Sequence, residues 1–427
     1  MNAYAVIILV TLLLDYTLNL VADVLNLRAL RHELPQEFVG VYDAEAYRKS
    51  QAYTRVQTRF GILTATCMLA VTLGFWFAGG FQALDALVRS WGWGLSWTGL
   101  AYIGLLALGK ALLDLPFRLY ATFVIEARFG FNKTTFGTLV ADSLKGLGLA
   151  IGLGGPLLAG VLAFFAYAGT HAWVYCWLAL TAFTLGLQWL APTWILPLFN
   201  KFTALEPGTL RDAILAYARR VNFALEDVFV IDGSRRSRKS NAFFTGFGKH
   251  KRIALFDTLI AGHTTPELVA VLAHEIGHYK KQHVLRTTML SIVHMGVMLF
   301  LLSVFLTHAG LFQAFYVHQP SVYAGLVFFG MLYTPIELVL SIGMHIISRQ
   351  HEYEADRFAV DTIEEPAALA QALKTLSVHN LSNLTPHPFY VFLHYSHPPM
   401  LQRLRAIQGA LVEEGESGRL GDWERDK

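Results

Sequence analysis

The chain has 427 residues, of which 54% are hydrophobic and only 15% charged, and its formal net charge is +3. So apolar a balance excludes an ordinary soluble enzyme and places a large share of the chain in lipid. The small positive charge gives no ground for a nucleic-acid partner.

Read in chain order, about seven stretches of near 20 apolar residues are expected to span a bilayer, at 4–26, 62–80, 97–116, 146–168, 173–196, 287–307 and 322–346. The first carries Asp15, Asn19 and Asp23 and lacks both a basic leader and a small-residue cleavage site, so it reads as a retained span and not a signal peptide. Charges in the connections alternate. The first connection, 27–61, holds Arg28, Arg31, Arg48, Lys49, Arg55 and Arg59, whereas 81–96 holds Arg89 alone. The next, 117–145, is basic again, the links 169–172 and 308–321 contain no Lys or Arg, and 197–286 and the C-terminal tail are rich in both. This alternation puts the N-terminus outside and the large polar segment and C-terminus in the cytosol. Asp15, Asp23, Lys110, Asp114 and Glu337 fall at membrane depth, which points to a water-accessible interior; packing between helices explains Lys110 with Asp114 equally well. Cys67 and Cys176 both lie in spans and read as small apolar residues.

The polar segment from 198 predicts a helix at 207–221, a strand at 227–232, a basic turn at 233–240, an extended stretch Asn241-Ala242-Phe243-Phe244-Thr245-Gly246 and a strand at 252–257. A small antiparallel sheet is the economical packing. The stretch Asn241–Gly246 is either a plain hairpin strand or an edge to which an extended peptide adds itself. Thr265 as N-cap and Pro266 at the first position then open a helix that carries His274-Glu275-Ile276-Gly277-His278. Residues four apart share a helix face, so both imidazoles can reach one Zn²⁺ while Glu275 sits where it can take a proton from water. A third ligand is expected at Glu352, with Asp356, four residues on, hydrogen-bonding the far nitrogen of a ligand histidine. Without the histidine pair, segment 348–357 would read as an exposed helix laced with ion pairs; His351 and Glu354 fall on other faces. A closed structural site needs a fourth protein ligand, and no Cys or His cluster offers one.

The expected architecture is mainly α: a multi-pass helical membrane protein with a gluzincin-like zinc peptidase domain containing a small β-sheet. Its parts are a five-span bundle (1–197), a first peptidase segment (198–286), a transmembrane hairpin (287–346), a second peptidase segment (347–411) and a flexible tail (412–427). Because a hairpin separates the two ligand helices, the metal must lie at the membrane–cytosol boundary.

Several segments together resemble the type I CAAX prenyl endopeptidases, the seven-span membrane zinc metalloproteases. They are Phe123–Lys133, Pro197–Phe202, Lys239–Gly246, His274–His278, Ser348-Arg349 with Glu352–Asp356, and His394–Pro399. The resemblance implies one Zn²⁺ per chain on His274, His278 and Glu352, Glu275 as general base, and Asp356 behind the ligands. It also implies His397 as partner of the developing oxyanion, Asn241–Gly246 as the substrate-binding edge strand, and a large chamber within the membrane. Phe243 stands where a tyrosine is common, a departure that bears on side-chain preference. The implied partners are the lipid bilayer and a peptide or protein substrate with a lipidated or otherwise hydrophobic C-terminus; no oligomeric state follows. The expected location is a bacterial cytoplasmic membrane, the endoplasmic reticulum being the alternative. An HtpX-like membrane quality-control protease is the second reading, disfavoured by the five spans ahead of the polar segment, and a non-catalytic zinc-binding scaffold or transporter is the third.

Overall fold

The computed structural model describes residues 1–225, 227–245 and 252–425. Seven of its helical segments are long and apolar enough to cross a membrane. The first is α1 (Ala3–Arg28), capped by the Asn2 side chain, which accepts from the Ala5 N–H at 3.0 Å. The second, α2 (Ala44–Phe77), begins well before the expected 62, because Asp43 caps it by accepting from the Ala46 N–H at 2.7 Å. Its polar first half therefore continues the span as an unbroken helix. A short α3 (Gly80–Ser90) follows. The third span is α4 (Leu95–Tyr120), prolonged by a π-helical turn over Ala121–Glu126. The fourth joins α5 (Phe136–Leu149) to α6 (Gly155–Tyr167), and the fifth joins α7 (Ala172–Leu190) to α8 (Leu196–Phe199), each across a π-helical turn. Side chains such as Leu112, Leu144, Leu178, Val293 and Val339 are exposed, as a surface solvated by lipid requires.

Four strands form one sheet: β1 (Phe202–Ala204), β2 (Asp227–Ile231), β3 (Ala242–Thr245) and β4 (Arg252–Phe256), with α9 (Thr209–Arg220) between the first two. The order is β1-β2-β4-β3, with β2 and β4 parallel and the other pairs antiparallel. The all-antiparallel expectation is corrected. After β2 the chain detours to the bundle, where Lys133 N–H donates to the Arg236 carbonyl at 3.0 Å and Arg238 N–H to that of Phe131 at 3.1 Å. It returns as β3 and turns back into β4, which consequently runs the same way as β2.

After α10 (Asp257–Gly262), the helix α11 (Thr265–Lys280) carries the paired histidines. Its N-cap is Thr264, one residue earlier than expected; the Glu267 carboxylate reaches back to accept from the Thr264 N–H at 2.8 Å, fixing the choice between adjacent threonines. The sixth span is α12 (His283–Phe305), followed by the short α13 (Ala309–Gln313). The seventh, α14 (Val322–Thr362), is 41 residues long and runs without interruption from the membrane to beyond Asp356. Then come α15 (Ala367–His379), α16 (Pro388–His394) and α17 (Met400–Arg425). The tail expected to be loose from 412 is a continuation of α17 to Arg425. Leu404, Ile407 and Ala410 anchor that helix in the core, and once nucleated it propagates cheaply.

The interior has two main cores at opposite ends. One packs Phe38, Tyr47, Ile214, Val228, Ile253, Leu272, Ile276, Val360 and Leu404 around α11 and the sheet. The other, built on Ile8, Trp76, Tyr102, Phe315, Tyr323 and Phe328, closes the far end of the bundle. Trp76 Nε1 donates to the Ala314 carbonyl at 2.8 Å there, and Tyr323 OH to Asp85 at 2.6 Å. Polar-lined cavities lie between these cores. One of about 690 Å³ is bordered by Asp23, Tyr53, Lys239 and Tyr395, and one of about 390 Å³ by Asp15, Glu337, His345 and His394. The charged residues anticipated at membrane depth thus face internal space, except that Lys110 and Asp114 pair within α4 itself, at 2.6 Å and four residues apart, and not between helices.

Candidate metal centre

The site is assembled where α11 crosses α14. Their close approach depends on Gly277: a Cβ there would lie 3.1 Å from both the Cα and the carbonyl oxygen of Ala355. Backbone contact at this depth brings the one-turn pair on α11 against Glu352 on α14.

Among the described residues, His274, His278 and Glu352 each present one ligand atom, and all three atoms lie within 4.8 Å of one another. The individual separations are 3.2 Å between the two Nε2 atoms, 3.3 Å from His278 Nε2 to Glu352 Oε1 and 3.5 Å from His274 Nε2 to Glu352 Oε2. A tetrahedron of ligands about 2.0–2.2 Å from zinc has edges of about 3.3–3.6 Å, close to the spacing of the two Nε2 atoms and to the approach of each to its own oxygen of Glu352, so the three side chains can close on one such ion. Two further observations favour that fit. Glu352 is buried, yet its Oε2 accepts no hydrogen bond. The local charges also leave a deficit: Glu275, Glu352 and Asp356 contribute three negative charges against the single positive charge of Arg403, a balance that one divalent cation completes.

Each histidine is held from behind. Asp356 Oδ1 lies 2.9 Å from His274 Nδ1, so it accepts that proton and leaves Nε2 free to bind metal. His278 Nδ1 meets His283 Nδ1 at 3.0 Å, and His283 Nε2 meets Glu354 Oε2 at 3.0 Å. With His278 Nε2 turned to the metal locus, its Nδ1–H donates to His283, whose Nε2–H donates to Glu354. His283 is brought under α11 by Gln282, which takes a left-handed φ of 59° between α11 and α12. It also stacks on His351, ring centroids 4.0 Å apart. His283 was not singled out from the sequence, and Glu354 had been set aside.

Arg403 is the other residue missed. Almost wholly buried on α17, it donates to Asp356 in a two-pronged pair (Nε to Oδ2 at 2.8 Å, Nη2 to Oδ1 at 2.6 Å), and its Nη1 lies 3.3 Å from Glu352 Oε2. The sequence did carry a signal for it. Ile407 and Ala410 are buried one and two turns further along the same face, so a cation stood on the apolar side of an amphipathic helix.

Glu275 lies within electrostatic reach of His274, His278, Glu352 and Arg403, and burial raises its carboxyl pKa above the ordinary value despite the neighbouring cations. His397, in the turn between α16 and α17, has Nε2 3.3 Å from Glu352 Oε1, with 65% of its side chain open and Nδ1 2.9 Å from Ser396 Oγ. Of the proposed substrate strand, Ala242–Thr245 forms β3 at the edge of the sheet, pairing among the described residues with β4 alone. Asn241 precedes it, exposed, its carbonyl accepting from the Phe256 N–H at 3.2 Å. Gly246 lies outside the described residues.

Comparison with known proteins matches the chain in two stretches. Residues 23–201 match the family described as CAAX prenyl protease N-terminal, five membrane helices, and residues 204–411 match peptidase family M48. The chain belongs to the CAAX prenyl protease group of M48 metallopeptidases. It is 35% identical over 422 residues to the CAAX prenyl protease 1 homolog of Oryza sativa, covering 95% of this chain and 98% of that protein. To CAAX prenyl protease 1 of Saccharomyces cerevisiae it is 34% identical over 407 residues, 88% of each chain. The crystal structure of S. mikatae Ste24p superposes with a TM-score of 0.91 at 33% identity, covering 95% of this chain and 99% of that one. The protein is accordingly a multi-pass membrane zinc metalloendopeptidase of the CAAX prenyl protease type, acting on peptide or protein substrates.

Proposed function

We propose that His274, His278 and Glu352 hold one Zn²⁺, that Glu275 is the general base, and that cleavage falls near the C-terminus of polypeptides with prenylated or otherwise hydrophobic ends. The observation that carries this reading is the convergence of three donor side chains on one locus beside an uncompensated pair of negative charges. When bound, zinc supplies Lewis-acid polarisation and brings water closer to neutral ionisation. Glu275, made more basic by burial, takes the proton of the attacking water and returns it to the leaving amine. Asp356 and His283 keep the two imidazoles in the tautomer that frees Nε2. His397 stands on the open side of Glu352, placed to donate to the oxyanion of the tetrahedral intermediate. The unpaired side of β3 receives the substrate as a further strand.

The substrate class is supported by position. Polar-lined cavities lie among the spans, and one of them is bordered by Lys239, close ahead of β3, and by Tyr395, two residues before His397; they offer room for a lipid-bearing C-terminus. We divide the chain at 198, 287 and 347, and the Lys/Arg content of the segments so bounded supports a cytosolic position for both halves of the peptidase. A bacterial cytoplasmic membrane is the reading we adopt for its location, and the eukaryotic origin of the relatives above keeps the endoplasmic reticulum as the alternative.

The test pairs two measurements on purified protein. Glu275→Gln is expected to retain zinc in stoichiometric amount while losing cleavage, and undiminished cleavage would remove Glu275 from the mechanism. Farnesylated peptide is expected to be cut faster than the same peptide unmodified; equal rates would confine the requirement to hydrophobicity of the chain itself.

A further inference from the structure

A third cavity, of about 580 Å³, opens on the side of α16 away from the chamber: Pro388, Val391 and Phe392 line it, whereas Tyr390 and His394 of the same helix border the internal cavities. Three arginines from separate parts of the chain, Arg31, Arg349 and Arg405, line it, and no carboxylate is among the described lining residues. Arg405 is spoken for by Glu37, at 3.0 Å. Arg349 donates only to backbone, to the carbonyls of Tyr395 at 2.6 Å and Val391 at 3.4 Å. Arg31, exposed, has no ion-pair partner among the described residues. Among the described residues, two of the three lining arginines therefore have no ion-pair partner.

Its depth is set by the spans. Arg31 lies three residues beyond the last residue of α1, and Arg349 three beyond residue 346, where the apolar run of α14 ends. Both spans end here on the cytosolic side. Ile346 and Phe392, 40% and 43% exposed, keep apolar surface close to the guanidinium groups. Guanidinium groups at headgroup level beside apolar side chains match a phosphodiester that carries acyl chains.

We propose that this cavity is a binding site for the phosphate of one anionic phospholipid from the cytosolic leaflet. The site is separate from the peptidase centre and stands whether or not the substrate assignment does. A soluble phosphate shares the chemistry but makes no use of the apolar rim or of the depth.

Native mass spectrometry of the full-length protein, released from micelles doped with equal phosphatidylglycerol and phosphatidylcholine, provides the test. One phosphatidylglycerol per chain is expected to be retained in preference to phosphatidylcholine. Arg31→Gln, which disturbs no ion pair, is expected to weaken that binding about fivefold, the worth of one basic residue at an anionic surface. Gln402→Glu, which places a carboxylate in the lining, acts in the same direction by an independent route, and zinc content checks that both variants are folded. Equal retention of the two lipids, or unchanged phosphatidylglycerol binding in both variants, overturns the proposal. Displacement of the lipid by millimolar inorganic phosphate also overturns it, in favour of a soluble anion.

Discussion

Arg403 holds two carboxylates that would otherwise repel each other in a buried space. Replacing it with Met leaves Asp356 and Glu352 without their cation, and removing one partner of a buried pair costs about 3–5 kcal/mol. Denaturant unfolding should show a loss of that order, and Arg403→Lys should recover only part of it, because a lysine cannot repeat the two-pronged contact with Asp356. His283 acts differently. His283→Phe is expected to lower zinc affinity about 10–100-fold, measured against a competing chelator, with cleavage returning when zinc is added in excess. Activity that stays low at saturating zinc would mean that His283 does more than orient His278. The ligand candidates were legible because a four-residue spacing is a local property of one helix. Arg403 also sits in a local helical pattern, a cation on an apolar face, but that pattern does not name His274, 129 positions back along the chain, among its partners; His283 reaches the site through a tight turn that no composition rule marks.

At the level of elements, the decisive contact is glycine against backbone. Gly277→Ala puts a methyl 3.1 Å from Ala355 backbone atoms, which cannot rotate aside as a flexible side chain can. The helices α11 and α14 must separate by a few tenths of an ångström, so zinc affinity is expected to fall several-fold while the membrane spans stay helical. Zinc titration alongside circular dichroism checks both halves of that statement. The strands illustrate where local reading ends. Asp227–Ile231, Ala242–Thr245 and Arg252–Phe256 were each recognisable by composition, but a period of two is the same in parallel and antiparallel ladders. The direction of β4 relative to β2 was settled by the detour past Phe131 and Lys133, a tertiary event. The capping of α11 was misplaced by one residue for a related reason: Thr264 and Thr265 are equivalent until Glu267 is seen to reach back.

Across the whole molecule, the two main cores and the space between them follow from the price of burying charge. Asp15, Asp23 and Glu337 could not face lipid, and the structure sets them along internal cavities, as hydropathy and charge had already required. The size of the peptidase core was less legible, since Phe38, Tyr42 and Tyr47 enter it from the first connection, far from the zinc motif. Chelation should separate the two ends. Removing zinc leaves three carboxylates against one guanidinium, so the peptidase half is expected to melt at lower temperature in scanning calorimetry while the far end of the bundle, held by Trp76, Tyr102 and Phe328, keeps its helicity.

One rod also links the proposed zinc-ligand carboxylate to the lipid. At 1.5 Å per residue, α14 is about 61 Å long, and only about 30 Å of it can lie in hydrocarbon, so Glu352 rides on the protruding end of a lever whose tilt the bilayer governs. Acyl-chain length then becomes a control on turnover. In vesicles of graded thickness, cleavage should pass through an optimum, and a flat response would show that the lever flexes before it reaches the ion.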